Sequence, residues 1–133
     1  MLTGPASGMM IYLDTHVVVW LFGGLTDELS PVAVGAIEAN ELLVSPIVRL
    51  ELQYLFETGR ILAKPDAVLS ALATELGLAT CALAFPAVIQ NALSVNWTRD
   101  PFDRIIVAQA VTGKRALLTR DQTIHNNFSR AVW

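Results

Sequence analysis

The stretch Asn96-Trp-Thr-Arg-Asp100-Pro-Phe-Asp103-Arg-Ile-Ile-Val-Ala-Gln109 decides how the rest of the chain is read. Asp100 is a good helix N-cap, and Pro101 suits the first helical position, where no N–H is needed. Asp103 then lies one turn in, near the positive end of the helix dipole. Ile105, Ile106, Val107, Ala108, Ala110 and Val111 follow, and the helical neighbours of Asp103 three and four residues on are Ile106 and Val107. This carboxylate therefore points along a face that should be buried. A buried charge costs several kcal/mol unless it is paired or holds a metal. The fold has to bring something to meet it.

Working outward, strands and helices alternate. Met10-Ile-Tyr-Leu-Asp14 is a short apolar run that ends on a carboxylate and reads as a central strand. Asp14 or Thr15 then caps a helix that stops at Gly23. A second helix is predicted over Asp27 to Asn40, with Ser30-Pro31 as cap and first position. Leu42 to Ser45 reads as a strand, and Ser45-Pro46 starts a helix to Thr58. On that helix Glu51 sits among Ile47, Val48 and Leu55, an inward-facing carboxylate by the same argument as Asp103. Further helices are predicted from Lys64-Pro65 to Gly77 and from Phe85-Pro86 to Leu93, with a short strand over Leu78 to Leu83. Gly113 stops the Asp103 helix. Ala116 to Thr119 is a buried strand that delivers Arg120-Asp121 at its carboxyl end. Ile124 to Phe128 forms one last turn, and Ala131 to Trp133 an edge strand. This alternation predicts an α/β fold with a central, mostly parallel sheet.

Four carboxylates share one pattern. Asp14 and Asp121 end apolar strands; Glu51 and Asp103 lie on apolar helix faces near the helix beginnings. In a parallel sheet, strand carboxyl ends and the starts of the following helices meet along one edge. Singly, each acid has a plainer explanation: Asp14 and Asp121 as caps, Asp103 as a capping-box acid, Glu51 as an arginine's partner. Together they repel. Two charges about 4 Å apart cost roughly 4 kcal/mol at an effective dielectric of about 20, so four need a cation. Oxygen ligands without cysteine favour Mg²⁺ or Mn²⁺, which would clamp phosphate oxygens and activate water. Arg49, Arg99, Arg104 and Arg120 stand close by in sequence, a positive rim that suits a phosphodiester. Asp100 reads as a structural cap, His16 as a partly buried helix histidine, His125 as surface and Cys81 as an inert core thiol.

Bulk properties agree. The chain has 133 residues, 53% hydrophobic and 16% charged, which excludes a disordered chain and leaves apolar surface for a partner. The net charge of −3 argues against a broadly basic nucleic-acid binder. No apolar run reaches the roughly 18–20 residues of a membrane span. A single cysteine excludes an internal disulfide and a cysteine-based zinc site, and fits a cytoplasmic setting. Residues 1–8 are small and turn-forming and are expected to be an expression remnant or a floppy tail, with 9–133 a single domain.

The residues carry a family resemblance. Ile11-Tyr-Leu-Asp14-Thr15-His16, Ser45-Pro46 leading to Glu51, Arg99-Asp-Pro-Phe-Asp103-Arg104 with Ala108-Gln-Ala110, and Leu118-Thr119-Arg120-Asp121 occur in this order. The chain resembles PIN-domain proteins, specifically the VapC-type toxins of bacterial type II toxin–antitoxin pairs. The resemblance implies an αβα sandwich, a homodimer, and a Mg²⁺- or Mn²⁺-dependent endoribonuclease leaving a 5′-phosphate and a 3′-hydroxyl. It also implies a cognate VapB-type antitoxin as inhibitor. The family's acids map onto Asp14, Glu51, Asp103 and Asp121, and its supporting hydroxyl onto Thr119; Thr15 is a second candidate for support. Trp20, Phe22 and Leu25 are candidates for the antitoxin groove, with core packing as the plainer reading. Many relatives carry His where this chain has Thr98, a difference that bears on substrate or partner contacts. A PIN-fold module that binds RNA or protein without cutting is the alternative. A haloacid-dehalogenase phosphatase is excluded because His16 stands where its second Asp belongs. A receiver domain is excluded because Lys64 and Lys114 are poorly placed.

Overall fold

A computed structural model describes residues 9–133; the expectation for residues 1–8 lies outside them. Five strands, β1 (Met10–Leu13), β2 (Glu41–Val44), β3 (Ala79–Thr80), β4 (Ala116–Leu118) and β5 (Ala131–Val132), form one sheet in the order β3-β2-β1-β4-β5. Every pairing is parallel: Ile11 aligns with Leu42 and Ala116, Leu43 with Ala79, and Leu117 with Ala131. Among the described residues seven α-helices accompany it: α1 (Thr15–Phe22), α2 (Pro31–Ala39), α3 (Pro46–Glu57), α4 (Pro65–Leu76), α5 (Phe85–Ala92), α6 (Pro101–Gly113) and α7 (Gln122–Asn127). This is the predicted α/β architecture, a parallel sheet flanked by helices. Ile11, Tyr12 and Leu13 of the central strand are all buried, as a strand covered on both faces requires. Leu52, Leu72, Ile106, Leu117, Leu118 and Ile124 fill the core around them.

Helix starts follow the predicted chemistry. Asp14 caps α1, Ser30 α2, Ser45 α3, Asp100 α6 and Asp121 α7, each accepting a backbone N–H of its helix. The second helix is shorter than Asp27–Asn40. Pro31 holds Ser30 extended (ψ 162°), so the preceding Thr26–Glu28 closes as a separate 3₁₀ turn. The strand expected over Leu78–Leu83 keeps only two paired residues at the sheet edge, and α7 begins at Gln122, ahead of Ile124, because Asp121 caps it.

Gly113 stands in the last position of α6 for a different reason than the one its position implies. The left-handed residue that ends the helix is Lys114 (φ 55°). At Gly113 a Cβ would come within 2.6 Å of the Tyr12 hydroxyl. The glycine therefore admits the central-strand tyrosine, whose hydroxyl hydrogen-bonds Cys81 Sγ at 3.0 Å. Cys81 is half-buried and partnered. Gly113→Ala is expected to destabilise the fold by about 1–3 kcal/mol through overpacking, despite alanine's better helix propensity. Urea unfolding checks it; an unchanged or raised midpoint would show that Tyr12 moves freely.

Candidate active site

The strand order turns at β1, with β2 and β3 on one side and β4 and β5 on the other. Ligand crevices in such sheets open at the carboxyl ends of the strands beside such a reversal. Asp14 leaves β1 there, with its N–H donating to the Leu118 carbonyl of β4 at 3.0 Å. A cavity of about 410 Å³ opens at this point. Five carboxylates line it: Asp14, Glu51, Asp100, Asp103 and Asp121. His16, Trp20 and Arg120 complete the wall. The four acids singled out in the sequence thus reach one cavity from four places: the end of β1, mid-α3, the first turn of α6 and the cap of α7.

Two buried threonines organise the acids. Thr119 Oγ1 donates to Asp14 Oδ2 at 2.6 Å and accepts the Asp121 N–H at 3.1 Å. The Thr15 N–H donates to Asp14 Oδ1 at 2.8 Å, while its Oγ1 donates to Glu51 Oε1 at 2.6 Å. Both oxygens of Asp14, 6% exposed, are therefore fixed by protein donors, and each keeps acceptor capacity to spare. Asp121 spends Oδ1 on the Ile124 N–H. Asp103 differs: its carboxylate accepts no hydrogen bond within the described residues, though Asp100 Oδ1 caps its N–H at 3.4 Å. A further bond joins the helices that carry Glu51 and Asp103. Ser45 Oγ, at the start of α3, donates to Oε1 of buried Gln109 on α6 at 3.0 Å. The Gln109 Nε2 is the one buried side-chain polar atom without a partner among the described residues.

This crowding shows in the ionisation. Burial pushes the Asp14 carboxyl up from its ordinary value, against the pull of its bonds from Thr119 and Thr15. Burial likewise raises Glu51, opposed by Thr15. Asp103 is pushed up to about 7, first by burial and then by the charges of Asp100, Asp14, Asp121 and Glu51. No group of three or more acid, histidine or cysteine side chains among the described residues is gathered closely enough to chelate an ion as it stands. The donor set nevertheless fits a hard divalent cation: it is all oxygen and anionic, and Asp103 is left without a partner.

Other sequence expectations fare differently. Of the four arginines, only Arg120 lines the cavity. Arg49 pairs with Asp66 at 2.9 Å on a surface between α3 and α4. Arg99 donates to the Asn96 carbonyl and Arg104 to that of Ala92, each held by the chain leading into α6. Trp20 belongs to the carboxylate cavity, whereas Phe22 and Leu25 line a separate apolar groove with Val19, Ile61, Leu62 and Val68. Helical geometry explains the split: Trp20 is four residues from His16 and shares its face, and Phe22 is two further on and turns away. His16 is exposed, not partly buried. His125 is half-buried, its Nε2 2.7 Å from the Thr119 carbonyl. Asp100 both caps α6 and lines the cavity.

A PIN-domain family model matches residues 11–129. The chain belongs to the PIN-domain family. This PIN domain is 35% identical over 121 residues to ribonuclease VapC22 of Mycobacterium tuberculosis, an alignment covering 88% of the chain and 91% of that protein. It is thus homologous to VapC-type toxins, as the resemblance implied. Its fold is similar to a chain of Rickettsia felis VapBC2 bound to a promoter DNA fragment, with a TM-score of 0.64, 16% identity, and 89% of this chain and 92% of that one covered. A Klebsiella pneumoniae toxin–antitoxin complex gives a TM-score of 0.62 at 16% identity, covering 92% and 96%.

The raised carboxyls set the sign of a pH effect. The folded PIN domain holds protons that the unfolded chain releases, so these carboxyls weaken the fold once ionised; for Asp103 the penalty is full above about pH 7 and gone below about pH 4. Without divalent cations, the melting temperature is expected to rise by a few degrees as pH falls from 7.5 to 5. Asp103→Asn, which breaks no side-chain hydrogen bond, is expected to raise the pH 7.5 value and flatten the slope. Thermal melts in EDTA test this; a melting temperature that falls over that range would contradict it.

Proposed function

We propose that this chain is the toxin of a toxin–antitoxin pair and acts as an endoribonuclease, hydrolysing RNA phosphodiester bonds with Mg²⁺ or Mn²⁺ held by Asp14, Glu51, Asp103 and Asp121. The observation that carries this reading is the delivery of these four carboxylates, from four separate elements, to one cavity at the carboxyl ends of β1 and β4. The ribonuclease name of its Mycobacterium tuberculosis relative supports it. When bound, a divalent cation supplies the positive charge that admits an anionic phosphodiester and makes water a usable nucleophile near neutral pH.

The chain's own residues do the rest. Thr15 and Thr119 hold the Asp14 and Glu51 oxygens in place, so no reorientation is needed as charge develops. The Asp103 carboxyl, pushed up to about 7, holds a proton part of the time at neutral pH and would have to lose it to hold a cation. Arg120, the guanidinium among the lining residues, faces substrate phosphate.

The expected partners are RNA, a VapB-type antitoxin and a second copy of the chain in a homodimer. The antitoxin reading draws on the toxin–antitoxin complexes among the structural relatives. Its seat is the apolar groove of about 420 Å³ where Phe22 and Leu25 stand exposed and Leu62 is 94% exposed.

Purified, antitoxin-free protein is expected to cut single-stranded or structured RNA with Mg²⁺ or Mn²⁺, leaving 5′-phosphates. Asp103→Asn is expected to lower the rate at least 100-fold, on the order of losing about 3 kcal/mol of transition-state stabilisation, and EDTA to abolish cutting. RNA binding without cutting across a broad substrate set would instead favour a binding module. Phe22→Glu is expected to weaken antitoxin capture at least tenfold while cleavage stays within twofold; equal capture would move the antitoxin elsewhere.

A further inference from the structure

The cavity wall that carries no negative charge is built as a unit. His16 and Trp20 lie four residues apart on α1, their ring centroids 6.1 Å apart. Trp133 backs Trp20 at 5.9 Å, tilted 57°. The Arg120 guanidinium stands 5.8 Å from the centre of the Trp20 ring, and its Nη1 donates to Glu28 Oε2 at 2.9 Å. Trp20 is not a core residue. Val17 and Val18 on the same helix are fully buried, yet the indole is only partly buried and lines the same cavity as the carboxylates. The indole packs against the edge of the core and against Trp133, and its remaining surface lines the carboxylate cavity, where it holds no cation.

We propose that Trp20 is a nucleobase platform: it stacks the base of an unpaired nucleotide whose phosphate lies at the mouth of the carboxylate cavity, with Arg120 closing over that nucleotide. This rests on the nuclease reading and adds its substrate subsite. An RNA chain entering a cavity with five carboxylates meets repulsion at its phosphates and none at its neutral bases. An aromatic face therefore supplies attraction where the acids cannot, and stacking tolerates any base because each has a π face. Only an unstacked base can reach the indole, so the subsite selects single-stranded segments, loops or ends. Arg120 is free to serve both groups. Its ion pair with Glu28 is exposed on both sides, a kind that contributes little and exchanges readily for phosphate or a base edge.

The test measures binding apart from cutting. In the Asp103→Asn protein with Mg²⁺, anisotropy of a labelled octaadenylate is compared with that of an abasic octamer of the same backbone. Adding Trp20→Leu is expected to weaken octaadenylate about tenfold, Trp20→Phe to recover most of that loss, and the abasic octamer to bind all three proteins alike. A loss equal for both ligands, no loss for either, or failure of the Asp103→Asn protein to bind octaadenylate at all would overturn the platform. The abasic comparison within the Asp103→Asn protein needs no Trp20 variant, so poor folding of Trp20→Leu leaves the test intact. Cleavage by the unsubstituted protein is scored separately. Cutting without base-dependent binding sinks the platform alone, whereas base-dependent binding without cutting sinks the nuclease reading alone.

Discussion

Mutual repulsion among carboxylates at one edge of the sheet is the constraint on which the rest of this structure depends. Asp14 is nearly buried at the end of the central strand, and burial first, then the charge of Asp121, raises the cost of keeping it charged. The fold meets that cost locally. Backbone pairing from Asp14 to Leu118 fixes the strand ends together. Thr15 and Thr119 then supply donors to both Asp14 oxygens and one Glu51 oxygen. Asp103 receives nothing comparable, and its carboxyl rises to about 7. A protein selected only for stability would have replaced such a residue with an apolar one, since a half-satisfied buried polar group is worse than none. Under the proposed function that carboxylate serves a bound cation.

The positions of the acids follow from ordinary helix and strand chemistry. Asp14 and Asp121 end up at the cavity because they cap the helices that leave β1 and β4. Asp103 is there because Asp100 and Pro101 start α6 one turn earlier. Glu51 projects from α3, and the Ser45–Gln109 bond ties that helix to α6. One set of local rules both starts the helices and aims the charges, which is why a short chain assembles a five-carboxylate cavity without long loops.

Much of this was legible before the structure. Cap residues, prolines at first helical positions and glycines after helices marked the helices from α3 onward within a residue or two, and the apolar runs marked the central strands. Edge strands were not readable to length, because two-residue pairings such as Ala79–Thr80 leave no periodic signal. The convergence of the four acids was readable because parallel topology leaves few places for strand ends to go. What escaped were features set by rotation about a helix or by long-range packing. Sequence proximity of arginines to acids did not translate into a rim, since Arg104 turns back to the Ala92 carbonyl and Arg49 to Asp66. Adjacency places Trp20 with Phe22 and Leu25, but its face follows His16, four residues earlier. That spacing was the available signal. Gly113 read as a helix stop, and its contact with Tyr12 spans a hundred residues of sequence.

Under the proposed function, Asp14, Glu51, Asp103 and Asp121 together hold a divalent cation. Calorimetric titration of Mn²⁺ into the metal-free protein at pH 7, repeated in buffers of different ionisation enthalpy, tests it most directly. The account expects saturable binding with release of a fraction of a proton, because loading strips the Asp103 carboxyl, and loss of both signals in Asp14→Asn. Absence of binding at millimolar Mn²⁺, or equal affinity in Asp14→Asn, would contradict it.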